Sequence, residues 1–430
     1  MIIIDTALAA REQAGTPIRV GVYGAGAAGR GFINQVTNAV PGMVVAAVSN
    51  RTLERAVDAY RYAGAGEPSV VTNRADLDAA IAAGRPAVTD NPSLLAQSEL
   101  IDCLIDITGQ VEFGAAIALE AIANGKHMVL MNAEVDSTVG PILHEKARQA
   151  GVIFTMVDGD QPGVQMNLYR QVKAMGFIPR VLGNVKGLQD EYRTPTTQQG
   201  FAEQWNQDVR MVTSFADGSK VNVEQCVVAN ATGFVVARRG MKRESYTGHV
   251  DDLVTHYDLD ELRELGGVVD FVIGPKPGPG VFCLAEQPDP RQHRYIELYK
   301  LGAGPLYSFY VPYHLCHFEA PFTIARAVLF GDVAGRPLGG PVVEVVALAK
   351  RDLVAGEELE GFGGYNTYGQ AENAGAVRSE NLLPQGLAPG CRVVRDIRRD
   401  TTLTWADVEA PRDRLAHQLY AEQQRRFSAA

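Results

Sequence analysis

The chain has 430 residues, 46% of them hydrophobic, and a formal net charge of -10. That length exceeds what one hydrophobic core fills and predicts two or three domains of about 100 to 200 residues each. The acidic balance argues against nucleic acid or an anionic membrane as a partner, since both reward basic surfaces.

The five cysteines, Cys103, Cys226, Cys283, Cys316 and Cys391, are scattered and show no C-x-x-C spacing. This fits a reduced, cytoplasmic setting with the thiols acting as small apolar groups. Met1-Ile2-Ile3-Ile4-Asp5 has no basic region and no long apolar core, and no apolar run reaches about 18 residues, so neither export nor membrane spanning is expected.

In chain order, Thr6 to Ala14 predicts a short helix, and Ile18 to Tyr23 a buried parallel strand. The strand runs into Gly24-Ala25-Gly26-Ala27-Ala28-Gly29, a complete G-x-G-x-x-G, and then a helix from Ala27 to Ala39. Gly24 permits the tight turn, Gly26 lets backbone approach a pyrophosphate, and Gly29 allows close helix-strand packing. The helix turns its free N–H groups toward the phosphates, so Gly24, Gly26, Ala27, Ala28 and Gly29 are assigned to a dinucleotide.

The second strand, Met43 to Val48, ends at Ser49-Asn50-Arg51-Thr52, where an NAD-binding domain normally carries a carboxylate for the ribose 2′-hydroxyl. Asn50 and Arg51 suit a 2′-phosphate instead, which favours NADP(H). Leu53 to Ala63 continues as helix; the mixed stretch Gly64 to Ser98, with a helix at Arg74 to Ala83, is expected as an insertion on a Rossmann core. Alternation then resumes with strands at Cys103 to Ile107, His127 to Met131 and Val152 to Met156, and helices at Glu112 to Asn124 and Val139 to Gln149.

After a helix from Val164 to Met175, strands are expected at Arg180 to Val185, Arg210 to Phe215, Val221 to Val223, Phe271 to Ile273, Gly280 to Leu284, Arg294 to Leu301 and Leu306 to Val311. Beyond Pro341, β-rich text is expected at Val342 to Leu348, Lys350 to Leu359 and Gly361 to Tyr365. The fold class is therefore α/β. A Rossmann domain occupies residues 1–160, an α+β catalytic and homo-oligomerising domain 161–335, and a β-rich domain 336–430.

Several long motifs carry a resemblance that runs nearly end to end. They are Asp106-Ile107-Thr108-Gly109, Met131-Asn132-Ala133-Glu134-Val135-Asp136, Gly159-Asp160-Gln161-Pro162-Gly163, Asp217-Gly218-Ser219-Lys220, Ala229-Asn230-Ala231-Thr232-Gly233 and Pro312 to Glu319. The C-terminal region, with Ala349-Lys350-Arg351-Asp352-Leu353, Gly356-Glu357, Leu382 to Leu387 and Arg395-Asp396-Ile397, resembles the SAF domain. The whole resembles SAF-containing oxidoreductases related to homoserine dehydrogenase. Within these it is most similar to deoxyxylulose-5-phosphate reductoisomerase-like enzymes, which implies NADPH-dependent reduction and rearrangement of a sugar phosphate.

Two motifs end strands at the carboxyl edge of the sheet, where ligands of open α/β folds sit, so Thr108, Gly109 and Asn132 join the cofactor set. Homoserine dehydrogenases typically carry a lysine where this chain has Glu134. The carboxylate is a candidate for substrate hydroxyls or a metal, or for capping the next helix or pairing with a cation. Reduction of a carbonyl needs a cation or acid for the alkoxide and a proton source. Lys220, expected to open a strand after the Asp217-Gly218-Ser219 turn, is the leading candidate; Lys186 competes, and Asp160 is placed to orient substrate or the lysine. An ordinary hairpin with a solvated lysine is the alternative for the Lys220 turn.

His314-Leu315-Cys316-His317-Phe318-Glu319 offers metal ligation, substrate contacts or aromatic packing, and no metal ligand is assigned from it. A divalent cation is compatible with a rearrangement, with Glu134, Asp136, Asp160 and Glu191 as its acidic groups. Arg238-Arg239-Gly240-Met241-Lys242-Arg243 is the densest basic run and a candidate phosphate site, with Arg193 and Lys186 beside it, or else a solvated loop. The expected function is reduction of a carbonyl in a sugar, polyol or sugar phosphate, with or without rearrangement. The alternatives are reversible oxidation of a small hydroxy compound, as in homoserine dehydrogenase, and a cofactor- or carbohydrate-sensing protein without turnover.

Overall fold

The computed structural model describes residues 3–427, which fall into two compact units. One contains residues up to 160 together with 315–336 and 418–423; the other contains 161–314, 337–417 and the residues from 424.

The first unit opens with α1 (Ile4–Gln13), β1 (Ile18–Tyr23), α2 (Ala27–Ala39), β2 (Met43–Ser49) and α3 (Leu53–Ala63). It continues through β3 (Ser69–Val70), α4 (Arg74–Ala82), β4 (Ala87–Thr89), α5 (Ser93–Gln97), β5 (Cys103–Asp106), α6 (Val111–Ala123), β6 (His127–Leu130), α7 (Ala133–Gln149) and β7 (Phe154–Met156). The strands are parallel and ordered β3-β4-β2-β1-β5-β6-β7. The order reverses between β1 and β5, which creates a crevice at their carboxyl ends.

The stretch 64–98 is not a mere insertion. Its strand β4 pairs in parallel with β2, Ala47 opposite Ala87, and so extends the sheet. Helix α7 begins six residues before the expected Val139, because the Asn132 side chain accepts from the Val135 N–H and caps it. Glu134 and Asp136 thus lie in the first helical turn, and the cap belongs to Asn132. The core joins Val20, Val22, Phe32, Ile33, Val48 and Tyr60 with Ala320 and Ile324.

The second unit starts with α8 (Gln161–Ala174), β8 (Ile178–Lys186), α9 (Pro195–Trp205), α10 (Val209–Ala216), α11 (Ser219–Thr232) and α12 (Leu259–Leu265). Then come β9 (Val268–Ile273), β10 (Gly280–Glu286), α13 (Pro290–Leu298) and β11 (Leu306–Val311), giving a sheet ordered β11-β10-β8-β9. Three expected strands are helices: Arg210 to Phe215 lies in α10, Val221 to Val223 in α11, and most of Arg294 to Leu301 in α13. Helix α11 is buried over 13 of its 14 residues, so it has no solvent-exposed face and no amphipathic period to betray it.

Helix α14 (Cys316–Ala325) belongs to the first unit. The chain then forms the antiparallel pair β12 (Val343–Ala349) and β13 (Thr367–Asn373), α15 (Ala374–Ser379), the short pair β14 (Arg392–Val393) and β15 (Val408–Glu409), and α16 (Leu415–Phe427). Between β12 and β13 the expected strands 350–359 and 361–365 are irregular, with isolated bridges from Leu353 to Ile397 and Glu358 to Arg392. Ala347, Leu353, Leu359, Leu383, Cys391 and Leu403 form a separate small core there. Among the described residues no helix is long and apolar enough to cross a membrane.

Candidate functional site

In the first unit the glycine-rich turn has three geometries for three glycines. Gly24 adopts φ +102° and donates its N–H to the Ser49 carbonyl at 3.0 Å. A Cβ on Gly29 would overlap the Gly24 carbonyl, so the helix can start this close to the strand only with glycine there. A Cβ on Gly26 would meet nothing within 4 Å. Packing therefore does not require Gly26, and the open space over it is the cradle that a pyrophosphate would enter.

The Asn50 Oδ1 accepts from the Ala25 N–H at 3.0 Å and its Nδ2 donates to the Thr52 carbonyl at 2.7 Å. Asn50 thus fixes the turn, while Arg51 beside it is exposed. Across the switch point, buried Asp106 accepts from the Thr108 N–H at 2.9 Å, the Thr108 hydroxyl at 2.6 Å and the Asn132 amide at 2.7 Å. Thr108 Cγ2 lies 3.3 Å from where a Gly24 Cβ would stand. The assigned residues Gly24, Gly26, Ala27, Ala28, Gly29, Asn50, Thr108, Gly109 and Asn132 therefore share one rim. Burial pushes the Asp106 carboxyl up to about 6, with Glu134 adding to the rise and the Thr108 and Asn132 donors opposing it.

In the second unit Lys220 occupies the first turn of α11, not the head of a strand, and is 7% exposed. Glu224 follows one turn later on the same face and is also buried. The Asn184 Nδ2 on β8 donates to the Glu224 Oε2 at 3.2 Å, and the Gln165 Nε2 on α8 donates to the Asn184 Oδ1 at 2.9 Å. A lysine at the positive end of a helix works against the helix dipole, and its burial carries the cost of desolvating charge.

Residues 24–156 match the family profile of the homoserine dehydrogenase NAD-binding domain, and residues 159–320 match that of the oxidoreductase DRL catalytic domain. Both segments thus match domain families of oxidoreductases. Among curated proteins no sequence matches the chain. Solved structures similar to it include myo-inositol dehydrogenase from Lactobacillus casei, 19% identical over 42% of this chain and 49% of that one, with a TM-score of 0.30. KijD10, a 3-ketoreductase from Actinomadura kijaniata, is 14% identical over 74% and 91%, with a TM-score of 0.37. A probable dehydrogenase from Thermotoga maritima is 10% identical over 75% and 90%, at 0.39. The chain spans about half the length of the myo-inositol dehydrogenase.

The other sequence candidates are placed as follows. Lys186 ends β8 and is half-buried. Asp160 is buried, with the Cys316 Sγ 3.9 Å away, in the loop that follows β7. Its neighbour Asp158 is gripped by Arg326 at 2.9 and 3.0 Å, which fastens that loop to the segment after α14. Asp136 contacts the His144 Nε2 at 3.2 Å, both buried on α7. Glu191 pairs with Arg243.

His317 packs over Gly31, whose Cβ would lie 3.0 Å from the ring, and burial lowers its pKa. His314 contacts the Gln161 side chain at 3.1 Å. The two histidines thus serve different neighbours, and among the described residues no cluster of three metal-ligating side chains occurs.

The cations of the basic run are paired within the protein. Arg239 pairs with Glu372 and Glu380 at 2.7 and 2.6 Å, Lys242 with Glu261 at 2.6 Å, and Arg243 with Glu191. Arg238 donates to the carbonyls of Met241 and Lys242. Arg193 is paired with Asp190 at 3.0 Å. These cations neutralise local carboxylates, which a linear sequence does not display.

Gln165, Asn184 and Glu224 were not singled out from sequence. The Lys220-to-Glu224 spacing is the signal that a helical assignment would have exposed.

Proposed function

We propose that the enzyme uses NADPH to reduce a carbonyl of a sugar, polyol or sugar phosphate, with Lys220 as the proton donor. The observation that carries this is the buried Lys220 beside the Glu224, Asn184 and Gln165 chain, within the segment that matches an oxidoreductase catalytic domain.

A reduced nicotinamide, when bound, would supply the hydride for the carbonyl carbon. As the carbonyl π pair moves onto oxygen, the Lys220 ammonium stabilises the developing alkoxide and gives it a proton, leaving a neutral amine and an alcohol. Gln165, Asn184 and Glu224 hold the polar surroundings in one orientation. The open cradle over Gly26 fits a pyrophosphate, and exposed Arg51, in place of a carboxylate, suits a 2′-phosphate. A skeletal rearrangement before reduction, as in reductoisomerase-like enzymes, belongs to this proposal through the motif resemblance. The match of residues 24–156 to a homoserine dehydrogenase domain favours a second reading, reversible oxidation of a small hydroxy compound.

The test is cofactor oxidation with a pentulose, its 5-phosphate and aspartate semialdehyde, using NADPH and NADH in parallel. Turnover of either pentulose with NADPH supports the proposal; turnover of the semialdehyde alone supports the second reading. Arg51→Ala should lower the NADPH over NADH preference about tenfold, the effect of losing one charge-assisted contact of ~1.4 kcal/mol. An unchanged preference would remove Arg51 from the cofactor set.

A further inference from the structure

We infer that the β12–β13 segment of the C-terminal region positions Lys220 for turnover, and that Lys350 is the positioning residue at its centre. The inference rests on Lys220 being the proton donor.

Lys350 directly follows β12 and is 3% exposed. Its ammonium donates at 2.8 Å to the Asp217 carboxylate, the Arg193 carbonyl and the Gly364 carbonyl, so all three of its donors are committed. That holds the Lys350 ammonium in one place and makes it a fixture. The other Asp217 oxygen accepts from the Ser219 N–H at 2.8 Å and so sets the start of α11.

Two further ties reach the same turn from β13. The Gly369 N–H donates to the Ser219 hydroxyl at 2.9 Å and the Ala371 N–H to the Asn222 Oδ1 at 2.8 Å. Residues 217, 219 and 222, on both sides of Lys220, are therefore held by one hairpin. The loop within that hairpin is pressed on α10: Gly363 adopts φ +65°, and a Cβ there would overlap the Arg210 carbonyl.

A buried ion pair adds little net stability compared with apolar packing, because both charges must be desolvated. What these ties do provide is a fixed axial rotation of α11, hence a fixed direction for the Lys220 side chain. Misplacement by about 1 Å at a reacting centre can cost on the order of a hundredfold in rate.

The test compares Lys350→Met and Ser219→Ala with the wild-type full chain. Lys220 acylation by acetic anhydride is located by peptide mass, with Lys186 as internal reference, and NADPH oxidation is followed with a pentulose 5-phosphate. In Lys350→Met, Lys220 should label at least about tenfold faster, and kcat should fall at least about tenfold with an unchanged KM for NADPH. Ser219→Ala, which spares the ion pair, should shift both in the same direction by about threefold. Unchanged Lys220 labelling in folded Lys350→Met overturns the inference; if that variant does not fold, unchanged labelling in Ser219→Ala does so. Faster labelling alongside a fully active Lys220→Met would instead retire Lys220 as proton donor and leave the tie standing.

Discussion

At the residue scale, Gly26 and Gly29 belong to the same motif for different physical reasons. Gly29 is demanded by the protein itself, since any Cβ there overlaps the Gly24 carbonyl. Gly26 faces open space, so packing does not demand it, and a bound pyrophosphate would. Gly29→Ala should therefore destabilise the first unit by on the order of 2 kcal/mol, in the range of overpacked cores. Gly26→Ala should leave the thermal midpoint unchanged while weakening NADPH binding about tenfold or more, equivalent to ~1.4 kcal/mol. Thermal unfolding and fluorescence titration of NADPH separate the two; equal effects on both quantities would contradict the account. These roles are legible in the sequence, because the motif states the backbone's needs directly. The role of Asn50 is not: its amide turns back to hold the Ala25 N–H, a contact made in space across 25 positions of chain.

At the scale of elements, the strand–helix alternation of the first unit is readable because its helices are mostly one-sided and its strands are short apolar runs bounded by turn residues. Helix α11 is the instructive failure. Its Asp-Gly start resembles a hairpin turn and its alternating valines resemble a strand, yet burial on every side erases the helical period. The start of α7 was missed differently: it begins at Ala133, capped by the Asn132 side chain, inside a stretch of sequence read as the end of a strand and its loop.

The buried junction of β5, α6 and α7 at Asp106 carries a pH prediction. Its carboxyl is raised to about 6 in the fold against about 3.9 unfolded, so the folded state binds that proton more tightly. Its contribution to stability is greatest below the unfolded value and is lost as pH rises through about 6. Relative to Asp106→Asn, which cannot titrate there, the wild type should gain about 1 kcal/mol on going from about pH 7 to about pH 5. Denaturant unfolding of both proteins at the two pH values measures this. A difference that stays constant would show that Asp106 titrates normally.

At the scale of the whole molecule, two family profiles divide the chain between nucleotide binding and catalysis, and the charge distribution explains why the basic run misleads. Its cations neutralise carboxylates brought from Glu191, Glu261, Glu372 and Glu380. None of these lies near the run in sequence in a way that marks it as a partner. The C-terminal segment gives the same lesson: residues 337–417 cluster with 161–314, and Lys350 completes the turn that presents Lys220. Sequence motifs located both lysines, but only the fold shows that one has all its donors committed while the other lies beside a polar cluster in the first turn of α11.

The central claim is that Lys220 donates the proton in an NADPH-dependent carbonyl reduction. It is tested most directly by turnover of Lys220→Met with NADPH and a pentulose or its 5-phosphate, alongside NADPH affinity. The account predicts a loss of kcat of about a thousandfold, within the range for removal of a general acid, with NADPH affinity unchanged. Wild-type turnover by Lys220→Met would contradict it.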